Sequence, residues 1–313
     1  MNEGAVPGKP FVRYTAQTPV RAVTFYLSDH SNGGDNLPLV VFVQGTGCDS
    51  HFQRGEKGKV VGGLALIVRE SVANRAVVMA VEKPGVKYLD DFNPEEVPLE
   101  KCPAEFLRDY ALDSWVQTIA AAIEAARTLP GINPDRVLVI GHSEGGIIAL
   151  RLSNVSRSVT HAASLSGGGP TFLAHIADYS RLRGRDPEKD VYDCWKHVQA
   201  EPDATDKFCW GGTYHQWASF MRTSIIQEAV QSKAKLYFVH GSADKQNSIF
   251  GFDVLRAELA AHGRAAVFER IEGADHALDL PGQEPPEGLQ QVFTRVVDWF
   301  LQDKGSNSAS RHK

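Results

Sequence analysis

The stretch "VLVIGHSEGGIIAL", from Val137 to Leu150, decides the fold. The β-branched run "RVLVI" predicts a buried strand, and "EGGIIALRLSNV" has apolar residues at helical spacing. A bare Gly-x-Ser-x-Gly also arises by chance, so the prediction depends on this context. A strand, a glycine-bounded turn and a helix present a serine hydroxyl at a helix N-terminus, where backbone amides favour negative charge. The pattern therefore predicts Ser143 as a nucleophile.

Short apolar runs alternate with helical patterns along the rest of the chain. The runs "LPLVVFV", "RAVVMAV", "VTHAASLS", "KLYFVHG" and "AAVFERIEG" predict strands, and "VRAVTFYL" predicts one near the N-terminus. The segments "KVVGGLALIVRESVAN", "PAEFLRDYALDSWVQTIAAAIEAARTL", "FDVLRAELAAHG" and "GLQQVFTRVVDWFLQ" predict helices. Such alternation predicts an α/β fold with a mostly parallel central sheet and helices on both faces.

One segment interrupts this alternation. Residues 167–231 have no strand signal and are rich in aromatic side chains, which predicts a helical lid inserted into an α/β core of residues 1–166 and 232–303. The polar residues 304–313 predict a flexible tail. The aromatic residues either cover a substrate site or pack the insertion's own small core. The candidates for substrate contact are Trp195, Trp210, Tyr214 and Trp217.

A serine nucleophile needs a base, and the base needs an orienting acid. "KLYFVHGSADKQNS" places Asp244 just after a predicted strand, and "VFERIEGADHAL" places His276 after the last one. The carboxyl ends of parallel strands meet at one sheet edge, so we expect Ser143, Asp244 and His276 to lie together there. Asp275 is a rival acid, because it adjoins His276.

The tetrahedral oxyanion of acyl transfer also needs hydrogen-bond donors. "LVVFVQGTGCDS" is a strand followed by a glycine-rich turn in the place where such a loop belongs. We expect the backbone amides of Thr46 and Glu144 to serve, with Gly47 as the alternative to Thr46. The Glu144 side chain is explained equally well as a favourable acid in a helix's first turn.

The motifs "GHSEGG", "HGSAD" and "GADHAL", with "QGTG" upstream, resemble the α/β-hydrolase superfamily over nearly the whole chain. Within it, the chain is most similar to the serine esterases of integron gene cassettes, which resemble macrolide-hydrolysing esterases. The resemblance implies an α/β-hydrolase fold and a serine esterase. Gln44 is a departure, because many members have histidine before the first glycine.

Composition and charge exclude several function classes. The 313 residues are 42% hydrophobic and 23% charged, as in an ordinary globular protein, and the net charge of -5 argues against nucleic-acid binding. The absence of a long apolar run predicts no membrane span, and the polar N-terminus "MNEGAVPGKP" predicts a cytoplasmic protein. No Cys/His cluster has zinc spacing, so neither a metal nor a cofactor is expected. Oligomeric state is left open.

Four cysteines are present: Cys48, Cys102, Cys194 and Cys209. In a reducing cytosol we expect four free thiols. In an oxidising compartment Cys194 and Cys209 are the favoured pair, because both fall in one local segment.

The predicted function is ester hydrolysis, and the expected partner is a small-molecule ester or lactone. A serine peptidase or amidase is the alternative within the same chemistry, although no propeller-like domain that selects peptides is evident in the sequence. A non-catalytic binding protein on a hydrolase scaffold is disfavoured, because all three triad candidates are present. The acidic loop "KPGVKYLDDFNPEEVPLEKCP" is either a solvated face or a surface that favours a cationic substrate, such as a macrolide with an amino sugar. Its carboxylates are Asp90, Asp91, Glu95, Glu96 and Glu100.

Overall fold

A computed structural model describes residues 1–30, 34–91 and 98–303. In these ranges the strands are β1 Asn2–Ala5, β2 Phe11–Gln17, β3 Ala22–Ser28, β4 Leu37–Val43, β5 Phe52–Arg54, β6 Val60–Gly62, β7 Val77–Val81, β8 Ile132–His142, β9 His161–Leu165, β10 Phe208–Cys209, β11 Gly212–Thr213, β12 Lys235–Gly241 and β13 Val267–Ile271. The α-helices are α1 Leu64–Val72, α2 Ala104–Asp109, α3 Leu112–Arg127, α4 Glu144–Val155, α5 Phe172–Leu182, α6 Asp193–Ala200, α7 Tyr214–Phe220, α8 Ile225–Gln231, α9 Ile249–Ala261 and α10 Glu287–Gln302.

Nine of the described strands form one sheet in the order β1-β2-β3-β7-β4-β8-β9-β12-β13. The six strands from β7 to β13 run parallel, whereas β1, β2 and β3 form an antiparallel extension at the β7 edge. The carboxyl ends of the parallel strands therefore all lie on one edge. The loops that follow β4, β7, β8, β12 and β13 meet there.

Alternate side chains of each central strand enter two hydrophobic cores, one on each face of the sheet. On β4, Val41 packs into the core covered by α3, α4 and α9, whereas Phe42 packs into the core covered by α1 and α10. Both side chains are almost fully buried, as expected for strands covered on both sides. The predicted mostly parallel sheet with helices on both faces is confirmed.

Two predicted helices differ from the structure. The segment read as one helix over 103–129 forms α2 and α3, because Tyr110 and Ala111 between them are extended. The buried Tyr110 hydroxyl donates to the Glu144 carboxylate, a tertiary contact that a continuous helix pattern does not reveal. The segment read as a helix over 59–74 begins as strand β6, which pairs with β5, before α1 starts at Leu64.

Two further regions depart from the sequence prediction. The N-terminal residues contribute β1 and β2, which the polar sequence did not indicate. The insertion over 167–231 contains α5 to α8 and a π-helical turn at Glu188–Tyr192, but also the two-residue strands β10 and β11, although no strand was expected. The domain division stays a prediction, and the tail of residues 304–313 lies outside the described residues.

The cysteines form two disulfides instead of four free thiols. Cys194 pairs with Cys209, and Cys48 pairs with Cys102, whose Cα atoms lie 6.3 and 5.9 Å apart respectively. The second pair, 54 residues apart, is brought together by the loops after β4 and before α2, which sequence proximity does not indicate. Structural disulfides persist mainly in oxidising compartments. The cytoplasmic location stays a prediction. None of the described helices has both the length and the apolar character needed to span a bilayer.

Replacing Cys48 and Cys102 together by alanine should lower the free energy of unfolding by about 4 kcal/mol, because the bridge closes a long loop in the unfolded chain. Urea unfolding measures this loss, and the Cys194→Ala, Cys209→Ala variant, with its shorter loop, is the comparison. Denatured wild-type protein treated with iodoacetamide should gain alkyl groups only after reduction. An alkylated cysteine in unreduced protein would contradict both bridges.

Candidate active site

Ser143 occupies the turn between β8 and α4 in a backbone conformation, φ 57° and ψ −126°, that residues with a Cβ rarely adopt. Its N–H donates to the Leu165 carbonyl of β9 at 2.8 Å, which fixes the turn against the neighbouring strand. Gly141 and Gly145 allow the close packing, because a Cβ on Gly141 would overlap the Gly145 carbonyl and one on Gly145 would overlap the Val43 carbonyl. The local sequence thus produces the strained turn that it predicts.

The structure brings Ser143, His276 and Asp244 together. Ser143 Oγ lies 3.0 Å from His276 Nε2, to which it donates, and His276 Nδ1 donates to Asp244 Oδ2 at 2.8 Å. The Asp244 side chain is fully buried. Burial raises the pKa of Asp244, but the bond to His276 and the amides of Asn247 and Gln246 outweigh it and hold the pKa below its usual value. A buried, ionised carboxylate thus orients the imidazole.

The rival acid, Asp275, does not contact the imidazole in the described hydrogen bonding. It is exposed, and its Oδ1 accepts the amides of Ala277 and Asp279 at 2.9 and 3.1 Å, which shapes the loop that carries His276. His142 also holds this loop, because its Nε2 donates a hydrogen bond to the His276 carbonyl at 2.8 Å. Burial, followed by the nearby His276, lowers the pKa of His142 to about 4, so this donor is neutral.

The predicted oxyanion loop lies directly against the nucleophile. A Cβ added to Gly45 would sit 3.2 Å from the Ser143 Cβ. Thr46 Oγ1 donates to Glu144 Oε2 at 3.5 Å, so the two residues predicted to supply amides are also in contact through their side chains. The Glu144 amide is at the first position of α4, where an N–H has no partner within its own helix. Gly47, the alternative donor, has φ 117°.

Two cavities open at Ser143. One, of about 520 Å³, is bordered by Thr46, Glu144 and residues of the 167–231 insertion. The other, of about 440 Å³, is bordered by several polar side chains, namely Gln44, Asp49, Ser50, Gln53, His142 and His276. Ser143, Thr46, Gly47 and Gln246 border both cavities, so the nucleophile stands where they meet.

The structure divides the four aromatic candidates for substrate contact. Trp210 and Trp217 line the 520 Å³ cavity, with ring centroids 5.7 Å apart. Trp195 and Tyr214 are not on its described wall and pack, half-buried, against the main core. Apolar wall residues that the sequence prediction missed are Leu99, Ile147, Phe172, Ile176 and Tyr179. Two of the four candidates therefore line the cavity, and the other two pack against the main core and not a separate core of the insertion. Contact with a substrate stays a prediction.

The described part of the acidic loop contributes the carboxylate of Glu100 to this cavity. Glu100 is on its wall, as is Asp190 of the insertion, which pairs with Arg185 at 3.8 Å. Asp90 instead accepts the Ser50 amide at 3.2 Å, and Asp91 is exposed. Glu95 and Glu96 lie outside the described residues. Across the described ranges, no group of three or more His, Cys, Asp or Glu side chains is placed to hold a metal ion.

A model of the alpha/beta hydrolase family matches residues 40–289, well over half of the chain and all three members of the Ser-His-Asp arrangement. The chain belongs to the alpha/beta hydrolase family. No curated protein matches the sequence of this hydrolase.

Several solved structures share the fold of this alpha/beta hydrolase at low sequence identity. Est1E from Butyrivibrio proteoclasticus superposes with a TM-score of 0.60 at 15% identity, covering 93% of this chain and 99% of Est1E. The Pyrococcus horikoshii acylaminoacyl peptidase gives 0.63 at 15% identity, over 95% of this chain and 42% of the peptidase. Porphyromonas gingivalis dipeptidyl peptidase 4 gives 0.58 at 13%, over 94% and 35%. The hydrolase thus spans nearly all of Est1E but well under half of either peptidase.

Buried polar residues around the site escaped the sequence prediction. Lys83, just after β7, donates to the carbonyls of Gly45 and Gly47, and its ammonium lies 5.2 Å from the centre of the Tyr110 ring. His175 of α5 lies on the wall of the 520 Å³ cavity. Burial is the main cause that lowers the pKa of His175 to about 4, and the nearby His276 adds to it. The available signal for Lys83 was a charged pair, "EK", at the carboxyl end of a buried strand, the same position that predicted the triad residues.

Replacing Ser143 by alanine should abolish hydrolysis by this enzyme without unfolding it, since loss of a triad nucleophile costs ~10⁶-fold in kcat. Turnover of an activated ester by purified variant measures the loss, and circular dichroism checks the fold. Near-normal turnover by a folded variant would exclude the nucleophile assignment.

Replacing Asp244 by asparagine should lower kcat by about 10⁴-fold, because the amide favours the wrong imidazole tautomer. The matched control is Asp275→Asn, whose carboxylate caps a turn and should have a far milder effect. Steady-state kinetics on both variants ranks the two acids, and the opposite order would mean that Asp275 orients His276.

Proposed function

We propose that this alpha/beta hydrolase is a serine-dependent carboxylic-ester hydrolase that works through an acyl-enzyme. The observation that carries the proposal is the hydrogen-bonded series from Ser143 Oγ through His276 to Asp244, with distances of 3.0 and 2.8 Å. In the first step, Ser143 Oγ attacks the ester carbonyl while His276 Nε2 takes the hydroxyl proton. The amides of Thr46 and Glu144 then stabilise the tetrahedral oxyanion.

Release of the alcohol completes acylation, and hydrolysis of the acyl-enzyme then uses the same groups. The protonated His276 Nε2 gives its proton to the leaving alcohol oxygen as the carbon–oxygen bond breaks, which leaves Ser143 acylated. Water, losing a proton to Nε2, attacks the acyl carbon. The new intermediate releases the carboxylic acid, and the proton returns to Ser143 Oγ. Asp244 stabilises the imidazolium in both halves.

The position of His276 supports a proposal for which part of the ester enters which cavity. The leaving oxygen must come within reach of Nε2, and His276 borders the 440 Å³ cavity but is not on the described wall of the 520 Å³ cavity. The alcohol therefore occupies the cavity lined by Gln44, Asp49 and Gln53, whose polar side chains suit a hydroxyl-bearing alcohol. The acyl group occupies the cavity lined by Trp210 and Trp217. These walls favour a bulky, largely apolar acid.

The finer proposal is that the ester is the lactone of a macrolide antibiotic. A lactone holds its acyl and alcohol halves in one ring, and the two cavities meet at Ser143, so a large ring can extend into both. Aromatic walls suit its apolar body, and the carboxylate of Glu100 suits an amino sugar. The resemblance to macrolide esterases supports the same substrate class.

A second candidate is a serine peptidase or amidase, because the same acyl transfer cleaves amides. The similarity to an acylaminoacyl peptidase and to dipeptidyl peptidase 4 favours it only at the level of fold. The two candidates differ in the leaving group, an alcohol or an amine, so matched substrates separate them.

The test pairs p-nitrophenyl esters with p-nitroanilides of the same acids, from acetate to bulky aromatic acids, with Ser143→Ala as the blank. We expect the esters to turn over well ahead of the anilides, and bulky apolar acids to be accepted. Comparable anilide turnover would indicate a peptidase or amidase. A folded protein that cleaves neither would be a binding protein on a hydrolase scaffold.

Mass spectrometry of 16-membered macrolides incubated with the enzyme tests the finer proposal. Ring opening adds one water to the drug, and the gain must disappear in Ser143→Ala. Intact macrolide beside rapid cleavage of simple esters would make the protein a general carboxylesterase.

A further inference from the structure

Lys83 is a buried ammonium that the acyl-transfer steps do not use. Only 2% of the residue is exposed, and its Nζ lies 2.5 Å from the Gly45 carbonyl oxygen and 2.6 Å from that of Gly47. These two carbonyls flank Thr46, the predicted oxyanion donor. Burying a lysine ammonium costs free energy unless the charge is paired and hydrogen-bonded. Both of these hydrogen bonds of Lys83 go to the loop that carries Thr46.

The geometry of the peptide group connects Lys83 to the oxyanion site. A trans peptide is planar, so the Gly45 carbonyl and the Thr46 N–H, which belong to one peptide unit, point in opposite directions. By holding the Gly45 oxygen, Lys83 turns the Thr46 N–H away from itself. Thr46 and Gly47 both border the two cavities at Ser143. The Gly47 N–H shares a peptide unit with the Thr46 carbonyl, and Lys83 does not bind that carbonyl. The contact therefore favours Thr46 over Gly47 as the donor.

We propose that Lys83 is a positioning residue for ester hydrolysis: its ammonium holds the Gly45–Thr46 peptide so that the Thr46 amide faces the oxyanion. The inference rests on the proposed function and deepens it. Lys83 itself touches neither the substrate nor the reacting atoms.

The surroundings of Lys83 link both predicted donors to one buried cluster. Glu144, at the start of α4, accepts hydrogen bonds from the Tyr110 hydroxyl and from Thr46 Oγ1, and its backbone is the second predicted donor. Its carboxylate attracts the Lys83 ammonium, as do those of Asp49 after β4 and Glu82 at the end of β7. The Tyr110 ring, at the end of α2, faces the ammonium from another side.

Loss of the Lys83 proton should therefore limit activity at alkaline pH. Burial lowers the pKa of Lys83 to about 8, although the carboxylates of Glu144, Asp49 and Glu82 raise it in part. The ammonium is present below this pH and is lost above it. The neutral amine makes weaker hydrogen bonds to the two carbonyls, because the bonds are no longer charge-assisted. Activity should fall as the pH rises through about 8.

The test is Lys83→Met, which keeps the length of the side chain and removes the ammonium. We expect kcat to fall about tenfold to a hundredfold with KM little changed, somewhat less than for deleting an oxyanion donor outright. The alkaline decline should also disappear. The matched control is Lys87→Met, four residues further on, because Lys87 is exposed and pairs with Glu105 at 3.3 Å. It should match wild type in both kcat and pH profile.

Phosphonylation of Ser143 by a fluorophosphonate, followed by intact mass, gives a readout that needs no particular ester. Lys83→Met should react more slowly by the same factor as in kcat, and wild-type labelling should slow above a pH of about 8. Equal labelling rates in the folded variant and wild type would overturn the positioning role while leaving the esterase proposal intact. Unlabelled wild type would overturn both. If Lys83→Met does not fold, the wild-type pH profile decides, and a level rate past that pH excludes the role.

Discussion

The backbone of Ser143 is the constraint on which the rest of the site depends. Its φ of 57° and ψ of −126° cost of the order of 1–3 kcal/mol, which the surrounding structure must offset. Strand β9 does so through the Leu165 carbonyl, and Gly145 does so by letting α4 approach the end of β4. The strained backbone fixes the direction of the Ser143 Cα–Cβ bond. His276 and the oxyanion loop have to be positioned around that bond, because the Ser143 backbone cannot move towards them.

The loop between β4 and β5 is held with comparable strictness, by three anchors of different chemistry. Lys83 holds the carbonyls on both sides of Thr46. Glu82, its neighbour in sequence, accepts from the Ser50 hydroxyl and the following amide, and burial raises the pKa of this carboxyl to about 7. Between these two contacts, Cys48 is linked by a disulfide to Cys102. Donors fixed before the substrate arrives need no reorganisation in the transition state, which is what oxyanion stabilisation requires.

Residues whose role follows from their position after a strand could be predicted from the sequence, whereas residues whose role depends on long-range contacts could not. Ser143, Asp244 and His276 were predictable as a group, because each directly follows a strand and the parallel order brings strand ends to one edge. Tyr110 was not, since its helical surroundings read continuously and the break depends on a bond to a residue 34 positions away. Lys83 carries a positional signal, since it follows a buried strand, but its partners are backbone carbonyls, which have no sequence signal. Residues whose role depends on tertiary contacts are invisible to periodicity.

Different parts of the fold provide the triad and the wall of the cavity beside it. The groups that perform the proposed chemistry are positioned by the sheet, whereas much of the wall of the 520 Å³ cavity comes from the 167–231 insertion, through Phe172, Trp210 and Trp217. Trp217 Nε1 donates a hydrogen bond to the carbonyl of Cys209 in β10. The disulfide between Cys209 and Cys194 links β10 to α6. The insertion therefore holds its aromatic wall by its own bonds. Substitutions in that wall alter the shape of the cavity without disturbing the strained turn at Ser143, and this separation is how one fold can support different substrates.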